Sequence, residues 1–347
     1  MRIPIIVFLI HISIIPLLMR CGGPVLNCRN DDASCNSIAF LSVFGDRLFT
    51  SCSTQELVFQ LTPSADAGSN WGALGFGSGI NRLVSLAGGA APTVAMTSPD
   101  GINWGAGSGV AGEEWRDVAG ANGVIVGVAI TTNAITRSTD GVNFSPVAGP
   151  TGLWKGLTTG NGLFVAVDQD SGSASSAMVS SDGGLNWTPS TTNGGLQWFD
   201  VAFGNGIFVA VGNSATAVMT SPDGAVWTSV PGAPVGDWRA VTFGNGMFVA
   251  LAASGVNPIM TSTDGTNWTA GPAPAGHPWY QITYGEGRFV GIATGGADPI
   301  LTSTDGVLWN VQSSPTAESL QGIAYDPVNR RFAGVGTNGA AIYANCF

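Results

Sequence analysis

The sequence predicts an all-β fold, a β-propeller of four-stranded blades, and three observations carry that expectation. Unit-opening residues recur at Trp71, Trp115, Trp154, Trp198, Trp238, Trp279 and then Leu320, at separations of 44, 39, 44, 40, 41 and 41 residues. Turn aspartates recur independently at Asp100, Asp140, Asp182, Asp223, Asp264 and Asp305, at separations of 40, 42, 41, 41 and 41. Both markers keep one period of about 41, the length of four short strands and their turns. The content of the period agrees: Trp238 to Trp268 reads as a short strand, a Gly-Asn-Gly turn, an apolar strand, a third strand ending in Met-Thr-Ser, and a polar turn closed by tryptophan. A unit this short cannot cover both faces of its own sheet, so the copies must stack on one another.

The chain begins with an export signal over residues 1–20, where Arg2 supplies the positive start and Ile5 to Met19 the apolar run. His11, Ser13 and Pro16 interrupt that run, which is short for a membrane-spanning helix. Cys21, followed by Gly22 and Gly23, stands where a bacterial lipoprotein signal places its lipidated cysteine, although Arg20 fills a site that normally takes a small residue. Cys28, after Val-Leu-Asn, is a second candidate. The expected location is therefore outside the cytoplasm: at the outer membrane, cell surface or periplasm if lipidated, and secreted otherwise. Residues 21–55 read as an N-terminal segment and linker, and 56–347 as the propeller. Cys28, Cys35, Cys52 and Cys346 allow two bridges in an exported chain.

Within each unit the residues have mechanical roles. Gly160-Asn161-Gly162, Gly204-Asn205-Gly206 and Gly244-Asn245-Gly246 supply the positive φ angles that a tight hairpin needs. The runs that follow, at Phe164, Phe208 and Phe248, are apolar on both faces, as strands covered by a blade on each side require. Ser221-Pro222-Asp223-Gly224 then turns the chain, the carboxylate accepting backbone N–H bonds within the turn.

This last turn resembles the Asp box, the S-x-D-x-G-x-x-W signature of sialidase-type propellers. Ser180, Asp182 and Trp187 match it in full; Ser98, Asp100 and Trp104, Ser221, Asp223 and Trp227, Ser262, Asp264 and Trp268, and Ser303, Asp305 and Trp309 form a version one residue shorter. Phe144 replaces the tryptophan after Ser138 and Asp140. The resemblance covers residues 71–347 and implies a propeller whose box residues are peripheral and structural. Six tryptophans open units and five close boxes, which accounts for all 11 and leaves none for a stacking platform.

The unit starting at Leu320 stops after its third strand, Ala341 to Ala344. Glu56 to Thr62 lies at the right distance before Trp71 to be the missing outer strand, closing a ring of seven blades. Cys346 falls one period after Asp305, so a Cys52–Cys346 disulfide would replace the turn that chain continuity cannot supply. The alternative is eight blades, because Phe44 to Phe49 resembles FGNGMF and Ser64 to Trp71 fits a full box, making a degenerate unit over 37–70. Seven is preferred, since eight would leave two blades without outer strands.

Reactive groups outside the repeat are few. The sequence holds one lysine, Lys155, and 22 acidic against 12 basic residues, so nucleic acid and anionic membrane surfaces are poor partners. His277 alone would have to carry a triad or a histidine metal site, and Asp168-Gln169-Asp170 lacks the glutamate of a calcium loop. No metal site and no cofactor are expected. A sialidase-like or other glycoside hydrolase is the alternative function; the resemblance implies three arginines on one funnel with a Tyr/Glu pair. Arg82, Arg116, Arg137, Arg239 and Arg288 are candidates, but Arg116 and Arg239 follow unit-opening tryptophans and read as scaffold. Tyr284 and Glu286 are the nearest Tyr/Glu pair, with Glu286 in the asparagine place of a turn. Glu113, Glu114 and Asp237 lie in loops on one face of the ring. The preferred function is non-catalytic: a monomeric propeller that binds a protein or glycan ligand through the variable loops 107–114, 190–197, 231–237 and 272–278.

Overall fold

Seven antiparallel four-stranded blades follow one another along the chain of the computed structural model, one for each unit that the period marks out; five are separate sheets, and the first two join into one eight-stranded sheet through a parallel pairing of Gly77 with Gly120. The structure describes residues 57–346 except 65, 90–93, 132, 171, 173–174, 193–195, 214–217, 256, 273–276 and 295–299. The described residues contain no α-helix, and a single 3-10 turn spans Thr337–Gly339. The inner strands of blades 1 to 7 are Asn70–Gly77, Trp115–Ala121, Trp154–Gly160, Trp198–Gly204, Trp238–Gly244, Trp279–Gly285 and Leu320–Asp326. Each touches the next, and the last touches the first, so the ring closes at seven.

Closure uses the N-terminal segment as the sequence predicts. Gln60–Leu61 pairs antiparallel with Ala341–Asn345, matching Gln60 to Tyr343 and Leu61 to Ile342. The eight-blade alternative does not survive, because blade 7 is completed by Gln60–Leu61 and leads directly into blade 1. Asp66 caps the connecting turn, its carboxylate accepting from the Gly68 N–H at 2.9 Å and the Ser69 hydroxyl at 2.9 Å. The remainder of the degenerate unit, 37–56, lies outside the described residues, as do Cys21, Cys28, Cys35 and Cys52. Cys346 is disulfide-bonded.

Stability comes from seven apolar clusters, one at each blade interface. Between blades 4 and 5, for example, Val209, Val211, Val218, Trp238, Phe248 and Met260 are buried together. Fully burying a side chain of this kind contributes about 1.5–3 kcal/mol relative to exposure. The six opening tryptophans are all among the largest fully buried side chains. At the far end of four inner strands, those of blades 3 to 6, glycine makes room for an aromatic of the following blade. A Cβ on Gly160, Gly204, Gly244 or Gly285 would lie 2.0–2.1 Å from the ring of Phe203, Phe243, Tyr284 or Tyr325 respectively.

The box turns rivet neighbouring blades. In blade 4, Ser221 Oγ donates to Asp223 Oδ1 at 3.0 Å and accepts from the Gly224 N–H at 2.9 Å. Asp223 Oδ1 also accepts the N–H groups of Ala225 and Val226. The same set recurs around Asp100, Asp140, Asp264 and Asp305, and Asn103, Asn143, Asn186 and Asn267 add a side-chain bond to the second carboxylate oxygen. Asp182 holds a turn longer by one residue, accepting from Leu185 and Asn186. The box glycine presses on the preceding blade: a Cβ on Gly224 would sit 2.6 Å from Val165. Trp187, Trp227, Trp268 and Trp309 each donate their indole N–H to the carbonyl of their own box glycine. Trp104 lies in the interface cluster between blades 7 and 1, and Phe144 fills the equivalent site in the next one.

Candidate functional site

All seven inner strands carry a β-bulge at the same place. Trp115 pairs with Ala129 and Asp117 with Val128, so Arg116 is the extra residue, and the shift repeats between Trp71/Ala73, Trp154/Gly156, Trp198/Asp200, Trp238/Ala240, Trp279/Gln281 and Leu320/Gly322. A bulge re-aims the side chain it contains. The seven extra residues are Gly72, Arg116, Lys155, Phe199, Arg239, Tyr280 and Gln321, which stand together at one end of the central channel. The channel itself is a cavity of about 360 Å³ lined by residues of every inner strand, including Leu74, Leu157, Val241 and Ile323.

At this mouth the side chains of blades 2 to 6 meet. Arg116, Lys155, Phe199, Arg239 and Tyr280 enclose a space of about 20 Å³ with Asp117, Asp200 and Gln281, room for one water-sized group. Lys155 Nζ donates to the Tyr280 hydroxyl at 2.8 Å, reaching from blade 3 to blade 6. The Arg239 guanidinium stacks on the Phe199 ring at 4.0 Å, a cation–π contact. Arg116 is paired with Glu114 at 3.1 Å and Arg239 with Asp237 at 2.8 Å, each two residues upstream. The Nε of Arg116, the Nε of Arg239 and the Oδ1 of Asp237 are buried without a hydrogen-bond partner.

Beneath the mouth, alternate blades hold an acceptor that ties them to the next blade. Asp117 accepts from the Val118 N–H at 2.8 Å and the Leu157 N–H at 2.7 Å. Asp200 repeats this with Val201 and Val241, both at 2.8 Å, and the Gln281 side-chain oxygen accepts from Ile323 at 2.6 Å. The intervening blades carry Gly156, Ala240 and Gly322 at this position, and a Cβ on Gly156 would lie 2.6 Å from the Asp200 backbone. Burial, then the nearby Asp200 charge, pushes the Asp117 carboxyl well above its usual range. Burial likewise raises Asp200 to about 7, against the backbone N–H bonds and the Lys155 charge that favour its ionised form. Burial also works to raise Tyr280, but the Lys155 and Arg116 cations outweigh it and leave the phenol below its ordinary value.

The other candidates do not join this cluster. Arg82 pairs with Gly77 and Arg288 with Gly285, at the hairpin end of the inner strands, away from the bulges. Arg137 donates its Nε to the Gly183 carbonyl at 2.7 Å. Glu286 is a turn residue with φ of 48°, ion-paired with Arg330 at 2.8 Å, while Tyr284 packs on Phe289 with ring centroids 4.7 Å apart. Glu113 accepts from Thr131, Asp168 accepts from the N–H groups of Leu153 and Asp170, and Asp170 from that of Gly172. His277 lies 5.7 Å from the Trp279 ring. Among the described residues no three His, Cys, Asp or Glu side chains are grouped to hold a metal ion.

Arg116 and Arg239, read from the sequence as scaffold, follow a buried tryptophan, and the bulge places them at the channel mouth, each paired with a carboxylate two residues upstream. Lys155, Phe199 and Tyr280, which sequence reasoning passes over, share the position. Aligning the units one residue past each opening tryptophan exposes them: the most constant position is followed directly by one of the most variable.

No family model matches the chain, and no curated protein does. Solved structures that resemble it are propellers. A catalytically inactive virginiamycin B lyase from Staphylococcus aureus, determined with quinupristin, superposes with a TM-score of 0.70 at 14% identity, over 84% of this chain and 99% of its own. YCF48 from Cyanidioschyzon merolae gives 0.61 at 16% identity, over 83% and 98%. The WD40 propeller domain of Doa1 gives 0.62 at 14% identity, over 84% and 97%. One of these is an enzyme and the others are not presented as enzymes, so the likeness establishes the fold alone.

Proposed function

We propose that this chain is an exported propeller of the Asp-box kind, anchored through Cys21, that binds a protein or glycan ligand at the tryptophan end of its ring without catalysing a reaction. One observation carries the reading. Five of the seven bulge residues are charged or aromatic, and those five line the channel mouth together. Variable residues on a rigid frame are the arrangement a binding surface needs. The hydrolase alternative requires three guanidinium groups around a substrate carboxylate. Two converge here, and the Tyr284 and Glu286 pair stands apart from them, at the hairpin end of its inner strand.

The same account assigns Cys52 as the partner of Cys346, which would secure the outer strand of blade 7. Residues 1–20 support export, and the acidic surface is consistent with a protein or glycan partner rather than nucleic acid. The test is direct. The purified exported form is expected to capture specific members of a glycan and peptide array while leaving fluorogenic sialosides and other glycosides intact. Turnover of any of those glycosides, abolished by substituting Arg116 and Arg239, would reverse the assignment.

A further inference from the structure

We propose that the channel mouth is a carboxylate-binding site, in which Arg116, Lys155 and Arg239 receive a single ligand carboxylate beside the rings of Tyr280 and Phe199. This rests on the binding role proposed above and specifies its chemistry. Three cations from blades 2, 3 and 5 are aimed at one point by the same structural device, a bulge after the opening tryptophan. Lys155 is the only lysine in the chain, so its presence here is not part of a general basic surface.

Arg116 and Arg239 each bond one carboxylate through a single terminal nitrogen, so the other terminal nitrogen of each fork has no carboxylate partner. A guanidinium offers two parallel N–H bonds to a planar carboxylate, which favours that group over a spherical ion. Charge favours a monoanion. Three cations face the paired carboxylates of Glu114 and Asp237, and burial holds Asp117 and Asp200 toward their protonated forms, which leaves about one positive charge at the mouth. The space between the cations holds one water-sized group, so a carboxylate would meet them at its edge, with the ligand body outside it, over the rings and the variable loops.

The single lysine makes the test specific. Reductive ¹³C-methylation keeps the charge and gives one lysine methyl signal, at Lys155. At about pH 5, below the value of about 7 to which burial raises Asp200, galacturonate, N-acetylneuraminate and an N-acetylated dipeptide are titrated against galactose and the dipeptide amide, with sulfate and phosphate alongside. Acidic sugars separate from the free-carboxylate dipeptide as the natural source by which binds more tightly. Saturable shifts are expected for the carboxylates and not for the neutral analogues. Arg116→Gln with Arg239→Gln, folded by circular dichroism, is expected to weaken them about tenfold or more, whereas Lys155→Arg retains binding, read by calorimetry. The proposal is overturned if carboxylates leave the signal unmoved, if neutral analogues shift it equally, or if phosphate or sulfate binds as tightly. A neutral array ligand with those results would leave the binding role standing and remove only the carboxylate site.

Discussion

Asp182 and Asp200 are one residue type held under opposite conditions. Asp182 sits in an exposed box turn, and the Asn186 backbone and side-chain bonds lead those that lower its carboxyl to about 2. Asp200 is buried and raised to about 7. The two classes move stability in opposite directions with pH. A carboxyl lowered on folding contributes stability that is present above about 4 and lost as pH falls toward 2. A carboxyl raised on folding contributes most below about 4 and is lost as pH rises through 7. Urea midpoints are therefore expected to be highest at about pH 4 to 5 and to fall as pH rises toward 7, and Asp200→Asn to flatten that alkaline fall without moving the acid side. An unchanged alkaline limb in that variant would contradict the burial effect assigned to Asp200. At this scale the sequence was informative about Asp182, whose turn partners are its immediate neighbours. It was silent about Asp200, whose second partner, Val241, is one blade away.

The blade repeats four strands, but its interfaces are specified by single residues. Gly204 closes an inner strand and lies flat against the Phe243 ring, which packs in turn on Phe248 at 4.8 Å between centroids. Gly204→Ala places a methyl group 2.1 Å from that ring, so a loss of about 1–3 kcal/mol is expected in urea denaturation. No loss would mean that the blades slide past one another more freely than this packing allows. The period, the hairpin turns and the missing outer strand were all legible, since each depends on local chemistry repeated at fixed spacing. The bulges were not. An extra residue paired with nothing leaves no mark in a period, and Gly72, Arg116, Lys155, Phe199, Arg239, Tyr280 and Gln321 share no side-chain property that would flag one position.

For the molecule as a whole, constancy and variation are divided between two regions. Indoles and box carboxylates recur because every interface needs the same rivet, and the ring closes only if seven interfaces are equally good. The bulge residues differ because neither the box turns nor the strand ladders fix their identity, which frees them to gather charged and aromatic groups at the mouth. Clustering three cations works against stability and is retained only where it serves binding. The decisive measurement is the urea midpoint, at about pH 5, of Arg116→Gln/Lys155→Gln/Arg239→Gln beside that of Ser221→Ala, which leaves the buried Gly224 N–H unsatisfied. The account expects the triple variant to equal or exceed the parent while Ser221→Ala loses about 1–3 kcal/mol. A triple variant destabilised as much as Ser221→Ala would show that the mouth cations hold the wheel together, and the case for a binding site there would fall.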